Sequence, residues 1–325
     1  DFVHRLFVAN THTPVLFFSS LGRAYKEKVW RLPLSAPQAR GKALVNLLPL
    51  EQNERITTIM PLPEDEESWA TLDVIFATTG GTVRRNKLSD FVDVRRNGLI
   101  AMKLDAGEAI VDVATATERD DVLLTTRDGQ CIRFAAPEVR VFQGRTSMGV
   151  RGVALGSGDR VISLSILNHF DAAGEERAAY LKRANALRRR MGEDVSPEAG
   201  AEAEDTASAV ELSDARFYEM QAAEQIILTV SENGYGKRTS SYEYRTTGRG
   251  GKGIVAMAVN ARNGKLVASF PVGHGDEIML VTDGGQLIRC PVEGIRIAGR
   301  GAQGVIVFDT AEDERVVSVE HIGDV

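Results

Sequence analysis

The chain has 325 residues, of which 43% are hydrophobic and 26% charged, with a formal net charge of −6. These values are typical of a globular protein, and no apolar run is long enough to span a membrane. Two cysteines exclude a disulfide framework, and five scattered histidines show no metal-ligand spacing. We therefore expect no metal, no cofactor and a reduced, cytoplasmic setting. No hydrophobic leader opens the chain, so no signal peptide is predicted. The first residue is Asp1 rather than Met, so we expect a piece of a longer protein.

A β-rich segment ending in a tight turn recurs five times along the chain. The turns end at glycine, and the glycines are Gly22, Gly81, Gly129, Gly234 and Gly285. Asp-Gly, Asn-Gly and Gly-Gly turns are typical of β-hairpins, because their backbone requires a positive φ. The residue four positions beyond each glycine is always basic: Lys26, Arg85, Arg133, Arg238 and Arg289. The constant phase predicts a repeated structural unit.

A second glycine-containing segment, which we call the box-like element, follows each hairpin. The five elements lie at 40–44, 96–99, 145–150, 249–254 and 300–305, and three share the pattern Arg-x-x-x-Gly-[Val/Ile]. A polar turn and a further strand come next, as at 161–164. Four short strands per unit predict an all-β, propeller-like ring of about five to six four-stranded blades, in which ring closure protects strand edges. A β-sandwich is the alternative, whereas no Trp-Asp pair supports a WD40 propeller.

The unit boundaries predict a single domain over 1–325. The units fall at about 1–47, 48–103, 104–152, 153–257 and 258–308, with a closing strand at 309–325.

Residues 168–222 interrupt the repeat. A helix is predicted near 175–191, with acidic residues at its start, Arg188–Arg190 in its last turn and Gly192 beyond. Residues 193–215 are rich in Ala, Glu and Ser, which predicts disorder. We expect the basic helix end to be solvated and the ring to fold without this insertion.

The charge of the chain is segregated. Five windows between hairpin turn and box-like element (22–42, 81–103, 127–151, 236–252 and 285–304) hold 25 basic and 7 acidic residues, whereas the rest holds 14 and 38. Basic residues at one phase of a ring form a belt on one face, which suits duplex DNA. The alternative is that they only solubilise exposed turns. The predicted DNA-binding residues are Arg23, Lys26, Lys28, Arg40, Lys42, Arg84, Arg85, Lys87, Arg95, Arg96, Arg133, Arg145, Arg151, Lys237, Arg238, Arg249, Lys252, Arg289 and Arg300.

The glycines of the box-like elements are predicted to let the backbone approach a phosphate. They are Gly41, Gly98, Gly149, Gly250, Gly251, Gly253 and Gly304. No P-loop, paired carboxylates or nucleophile–base arrangement is present in the sequence, so we predict no catalytic residue.

Three stretches resemble the C-terminal domain of the A subunit of DNA gyrase, of the type IIA DNA topoisomerase family. They are Leu47–Ile56, Asn233–Thr239 and Gly304–Ile306 with Ala311–Glu314. The resemblance covers the chain outside 168–222. It implies a six-bladed β-pinwheel that wraps duplex DNA around a basic rim and lets the holoenzyme introduce negative supercoils with ATP. The implied partners are DNA, the rest of the gyrase A homodimer and the B subunit of gyrase. The implied place is the bacterial cytoplasm at the nucleoid, without a membrane, and the isolated chain is not an enzyme.

The chain departs from the family pattern in one respect. The family's Gln-Arg-Arg-Gly-Gly-[Lys/Arg]-Gly box is absent, and Gly248–Gly253 is its best degenerate copy. Five units out of six predict an incomplete ring. The A-type subunit of topoisomerase IV is the near alternative, and a propeller used for protein contacts is the distant one.

Overall fold

The computed structural model of the chain describes residues 7–36, 39–200 and 210–322. Apart from two helices, these residues form short strands joined by turns and short 3-10 helices. In chain order the strands and helices are β1 (Pro14–Ser19), β2 (Arg23–Lys28), β3 (Ile56–Pro61), β4 (Asp73–Thr78), β5 (Thr82–Lys87), β6 (Leu99–Ile100), β7 (Ile110–Ala116), β8 (Asp120–Thr126), β9 (Gln130–Ala135), β10 (Val150–Arg151), β11 (Val161–Asn168), α1 (Gly174–Arg190), α2 (Asp214–Ala223), β12 (Ile226–Ser231), β13 (Tyr235–Ser240), β14 (Ile254–Val255), β15 (Leu266–Val272), β16 (Glu277–Thr282), β17 (Leu287–Pro291), β18 (Val305–Ile306) and β19 (Val316–Ile322).

The predicted hairpins form, and each starts one blade. Blades 1 to 5 are built on the pairs β1–β2, β4–β5, β8–β9, β12–β13 and β16–β17. In every turn the glycine N–H donates to the carbonyl of a Ser or Thr three residues earlier, as from Gly81 to Thr78 at 3.0 Å. The Thr78 hydroxyl also accepts from the N–H of Thr82 at 3.1 Å. Local sequence therefore specifies the turn, with backbone and side chain acting together.

The third strand of each blade lies on the inner side of the ring. Strands β3, β7, β11, β15 and β19 each pair antiparallel with the first strand of their own hairpin. Strands β3, β7, β11 and β15 each also lie beside the corresponding strand of the following blade. These five strands therefore line the ring axis, and the opposite edge of each sheet faces outward.

In the four-stranded sheets of blades 1 to 4, the outermost strand comes from the following unit. Strand β6 pairs with β2, β10 with β5, β14 with β9 and β18 with β13. Every exchanged strand is the end of a box-like element, so these elements lie on the outer perimeter. This strand exchange makes the fold a β-pinwheel and confirms the predicted all-β, propeller-like class.

Blade 5 differs from the others in the described part of the chain. Its sheet has three strands, in the order β17–β16–β19. The edge of β17 is open, with Leu287 53% and Ile288 36% exposed. Of the five sheets in the described residues, four thus have the predicted four strands.

Apolar side chains fill the spaces between neighbouring blades. Between blades 1 and 2, Phe18 and Phe76 pack edge to face with ring centroids 5.3 Å apart, and Phe91 contacts both. Between blades 3 and 4, Leu123 of β8 packs with Ile227 of β12. Because the first hairpin strand is covered on both faces, its sequence is a continuous apolar run rather than an alternation.

The insertion packs as an ordered part of the molecule. Helix α1 matches the predicted helix, whereas α2 was not predicted. Tyr180 and Leu181 of α1 and Phe217 and Met220 of α2 form a buried cluster with Tyr242 of blade 4. The insertion therefore shares a core with the ring.

Two expectations for the insertion are wrong. Residues 193–200 are not disordered, because Val195 and Ala199 are buried against Ile297; residues 201–209 lie outside the described part. The basic helix end is not simply solvated either, because Arg188 pairs with Glu224 and Arg189 donates to the carbonyl of Ser196 at 2.8 Å. Among the described residues, no helix is long and apolar enough to cross a membrane.

Candidate nucleic-acid interface

The outer perimeter carries most of the basic residues predicted to bind DNA. Nine of the nineteen are exposed: Lys28, Arg40, Lys42, Arg95, Arg96, Arg151, Arg249, Lys252 and Arg289. Five more are half-buried: Arg23, Lys26, Lys87, Arg145 and Arg300. Most of the fourteen lie in or beside the box-like elements and exchanged strands. The ring thus presents positive charge along its outer edge.

Five predicted residues are buried instead: Arg84, Arg85, Arg133, Lys237 and Arg238. The basic residue four positions after the turn glycine was expected to expose its charge on the rim. That expectation is wrong for Arg85, Arg133 and Arg238, which are 2%, 7% and 4% exposed. In the same position Arg289 is exposed, with 61% of its side chain accessible. The cause is the next blade, which covers the second hairpin strand in blades 2 to 4.

The buried arginines hold neighbouring blades together, and we call Arg85, Arg133 and Arg238 the latch arginines. In blade 2, Arg85 Nε donates to Asp73 Oδ2 at 2.7 Å, and Nη1 donates to the carbonyl oxygens of Ala136 and Val139 in blade 3. The buried charge is therefore paired and hydrogen-bonded, as a desolvated guanidinium must be.

A signal for this role was present in the sequence. The carboxylate stands twelve residues before the basic residue in three units, at Asp73, Asp121 and Glu277. Because the two residues lie on opposite sides of the hairpin turn, this spacing places the acid and the base on neighbouring strands of one hairpin. A recurring opposite charge at that spacing indicates an ion pair across the hairpin, which is buried in blades 2 and 3 and exposed in blade 5.

Two further buried cations support the box-like elements through hydrogen bonds to backbone carbonyl groups. Arg84 donates to the carbonyl oxygens of Gly144 and Ser147, and Lys237 donates to those of Gly299 and Arg300. Burial, with Arg140 as a second cause, lowers the pKa of Arg84 to about 10. These side chains are fully buried, so we do not assign them to DNA.

Some box-like glycines serve strand exchange. A Cβ on Gly149 would lie 2.0 Å from the carbonyl oxygen of Val83 in the preceding blade. Gly253, at φ +77, would place a Cβ 2.1 Å from the carbonyl oxygen of Cys131. Any side chain would push the exchanged strand away from its sheet. The glycines therefore allow close approach of backbone to backbone.

The fourth box-like element carries two basic residues, Arg249 and Lys252, and hydrogen bonds fix the first of them. Arg249 Nε donates to the carbonyl of Glu138 at 3.0 Å, and its Nη1 donates to that of Arg151 at 3.0 Å. The exposed guanidinium is thereby fixed in direction on the perimeter, and Lys252 is exposed beside it. A cavity of about 210 Å³, lined partly by Arg245, Thr247 and Gly251, opens next to it. Fixed cations beside a concave glycine-rich backbone suit a phosphate group.

Among the exposed basic residues of the five windows, the predicted DNA-binding residues leave out Arg31, Lys103, Arg140 and Arg245. Arg140 is exposed, and its guanidinium lies over the Phe142 ring, 4.1 Å from the centroid. Arg140 lies inside the basic window 127–151, so it contributes to the segregated positive charge. It lies outside the box-like element, so it is not among the predicted DNA-binding residues.

A family model described as the DNA gyrase C-terminal domain, β-propeller, matches five segments of the chain. They are 13–63, 72–117, 120–168, 225–272 and 276–322. Each segment runs from the hairpin of one blade to its inner strand. The insertion lies between the third and fourth segments.

Curated relatives named as the A subunit of DNA gyrase match the full length of this chain. That of Granulibacter bethesdensis is 52% identical over 98% of the chain and 35% of the relative. That of Rickettsia bellii is 43% identical over 100% and 35%, and that of Escherichia coli is 38% identical over 100% and 30%. The chain thus spans about a third of the length of these relatives.

Two solved structures share the fold at low sequence identity. A DNA gyrase A C-terminal domain aligns with a TM-score of 0.68 and 20% identity over 96% of this chain and 83% of that one. A C-terminal domain of DNA topoisomerase IV aligns with a TM-score of 0.69 and 20% identity over 97% and 80%.

Proposed function

Because this chain belongs to the DNA gyrase C-terminal domain family, we propose that it binds duplex DNA and bends it around its outer perimeter. The observation that carries the proposal is the position of the exposed basic residues. Most of them lie in or beside the box-like elements, and the strands of the second to fifth elements are the outermost in their sheets, so successive blades present cations to the same outer edge. A curved basic edge matches the regular charge of a bent duplex.

The chemistry favours contact with phosphates rather than with bases. The exposed groups are arginine and lysine heads on short strands and turns, and both helices belong to the insertion. Binding should therefore draw on counterion release and be nearly independent of base sequence. Sequences that bend easily should bind somewhat better, because bending costs deformation energy.

In the cell, this domain would act as a non-catalytic part of the A subunit of DNA gyrase. A bent duplex on the rim presents a DNA segment for strand passage, which the holoenzyme couples to ATP hydrolysis to introduce negative supercoils. The partners are then duplex DNA, the remainder of the gyrase A dimer and the B subunit of gyrase. The place of action is the bacterial cytoplasm at the nucleoid.

The second candidate is the corresponding domain of topoisomerase IV. The similar TM-scores of the two solved domains favour neither enzyme. The gyrase A relatives, at 38% to 52% identity over nearly the whole chain, favour gyrase.

A salt titration of duplex binding tests the proposal. If the nine exposed predicted residues each neutralise a phosphate, log K should fall against log salt with a slope of about −8. Fluorescence anisotropy with two unrelated duplexes of about 40 base pairs (roughly the length a bent path over several blades requires) measures slope and sequence dependence together. A slope of about −2, or a strong preference for one duplex, would contradict the proposal and favour the alternative of a propeller used for protein contacts.

A further inference from the structure

Blade 4 lacks the carboxylate that accompanies the latch arginine elsewhere. In the hairpin register, Asp73 faces Lys87 in blade 2, Asp121 faces Ala135 in blade 3 and Glu277 faces Pro291 in blade 5. At the same register position in blade 4, Ile226 faces Ser240. Arg238 therefore has no acidic partner on its own hairpin.

Arg238 is nevertheless as buried as the other latch arginines. Its Nε donates to the carbonyl oxygen of Ile295 at 2.6 Å and its Nη2 to that of Glu293 at 2.9 Å, both in blade 5. Burial lowers the pKa of Arg238, Glu193 acts in the opposite direction, and Arg188 adds to the lowering. A buried guanidinium without a carboxylate is costly, so the position calls for an acidic group from elsewhere.

The insertion places that group. Glu193 follows α1, and its Oε2 lies 3.9 Å from Arg238 Nη2. The other arginine near this point, Arg188, is already paired with Glu224. In the described part of the chain, Glu193 is the acidic side chain whose oxygen lies within 4.0 Å of Arg238, whereas Glu293 and Asp194 act on this arginine from farther away.

The segment after Glu193 is bound to blade 5 by backbone pairing. The N–H of Ile297 donates to the carbonyl of Asp194 at 2.9 Å, and the N–H of Ser196 donates back to Ile297 at 2.7 Å. On its other side the same blade 5 segment pairs with Arg238, since the N–H of Ala298 donates to the Arg238 carbonyl at 2.9 Å. The blade 5 segment therefore lies between blade 4 and the insertion.

A second contact ties the same three parts together. The buried Glu243 of blade 4 accepts from the N–H of Gly200, at the end of the described insertion segment, at 2.9 Å. Its other oxygen accepts from the N–H of Arg300, in the box-like element of blade 5, at 2.5 Å. The Glu243 carboxylate of blade 4 thus binds both the insertion and the fifth box-like element.

We propose that the insertion is a brace whose Glu193 replaces the missing carboxylate of blade 4 and thereby positions blade 5 and its part of the rim. Glu193 is a positioning residue: it acts through Arg238 on residues 293–300. The consequence for DNA rests on the proposed function, whereas the consequence for the seam between blades 4 and 5 does not.

The test moves the carboxylate that faces Arg238 from the insertion to the hairpin of blade 4. Glu193→Gln removes the charge from the insertion, and Ile226→Asp restores it on the hairpin, as in blades 2 and 3. Ile226 and Arg238 both line a cavity of about 150 Å³, which leaves room for the new carboxylate. Ile226→Asn is the matched variant without charge, and Glu219→Gln is the control for losing an exposed acid of the insertion.

Hydrogen exchange and thermal unfolding of the 325-residue chain, without DNA, are the primary measurements. Glu193→Gln should speed exchange of the Ala298 and Arg238 amides about tenfold and lower the Tm by about 2–4 °C. Adding Ile226→Asp should reverse both changes, and adding Ile226→Asn should not. Equal behaviour of Glu193→Gln and Glu219→Gln, or equal rescue by Asp and Asn, would overturn the proposal. If Ile226→Asp does not fold by itself, the first of these comparisons still decides.

DNA bending is measured separately, by energy transfer between the ends of a labelled duplex. With the brace weakened, bending should decrease while the salt slope of binding falls by about one unit or less. If the wild-type protein does not bind DNA, the proposed function fails and the proposal for Glu193 remains. If DNA binding is normal but Glu193→Gln changes neither hydrogen exchange nor Tm, only the proposal for Glu193 fails.

Discussion

Arg133 and Asp121 lie twelve residues apart on paired strands of one hairpin, with Arg133 Nε donating to Asp121 Oδ2 at 2.7 Å. The same guanidinium reaches into the next blade, where it donates to the carbonyl oxygens of Ser241 and Tyr244. Arg133 is 7% exposed, and the Asp121 side chain is fully buried. The pair is thus a junction between blades 3 and 4 rather than part of a DNA surface.

Removing the arginine from this junction should strongly destabilise the ring. Arg133→Met leaves the Asp121 carboxylate buried with only His169 and Thr246 nearby, so the free energy of unfolding should fall by about 3–5 kcal/mol. Arg289→Met is the matched control, because Arg289 holds the same repeat position with its charge exposed. That change should cost less than about 1 kcal/mol. Urea unfolding measures both, and equal losses would mean that the repeat position, not the junction, matters.

The close approach at Gly149 predicts a steric effect on strand exchange. In Gly149→Ala the new methyl group would overlap the carbonyl oxygen of Val83, 2.0 Å away, and push β10 from β5. We expect a loss of about 1–3 kcal/mol of unfolding free energy. Gly144→Ala lies in the same box-like region, and no atom lies within 4 Å of its added Cβ. Thermal unfolding of the two variants should separate them; similar midpoints would show that β10 can shift without cost.

A single exposed rim lysine should contribute to DNA affinity in a salt-dependent way. Lys252→Ala removes one cation from the fourth box-like element, so binding should weaken equally for all duplexes and the salt slope should flatten by about one unit. Lys182→Ala removes another exposed lysine, from α1 of the insertion, and should change neither quantity. Arg249→Ala should lower stability as well as affinity, because Arg249 also holds Glu138 and Arg151. A flatter slope for Lys182→Ala would extend the DNA path onto the insertion.

Deleting the insertion should leave a folded but weaker ring. The N–H of Asn168 donates to Gln225 Oε1 at 2.7 Å, so a linker of a few residues can replace 172–222 at a small entropic cost. The loss lies elsewhere, because Tyr242 is 4% exposed under the cluster of α1 and α2. Exposing it should cost about 1.5–3 kcal/mol, and the deletion also removes the Glu193 carboxylate from Arg238. Circular dichroism should show an intact β spectrum with a lowered midpoint; an unchanged midpoint would mean that the cluster contributes no stability.

Much of the fold could be predicted from local patterns. The turn glycines at 22, 81, 129, 234 and 285 specify hairpins because few other residues adopt the required φ, and their spacing specifies a repeat. The continuous apolar first strands and the charged ends of α1 are local signals as well. Helix α2 lacked such a signal, because its sequence follows an Ala- and Glu-rich stretch whose composition resembles disorder.

The burial of the basic residues depended on contacts between distant parts of the chain. In sequence, Arg84 and Arg96 are equivalent cations in one basic window, and only the structure separates them, by placing the backbone at Gly144 over Arg84 and solvent over Arg96. The exchanged strands act in the same way, since Ile254 pairs with Cys131 across more than one unit. The sequence repeat determines which residues occupy equivalent positions in successive blades, because hairpin turns and strand alternation are local. Whether the residue at such a position is buried depends on the next blade, because burial is a property of non-local packing.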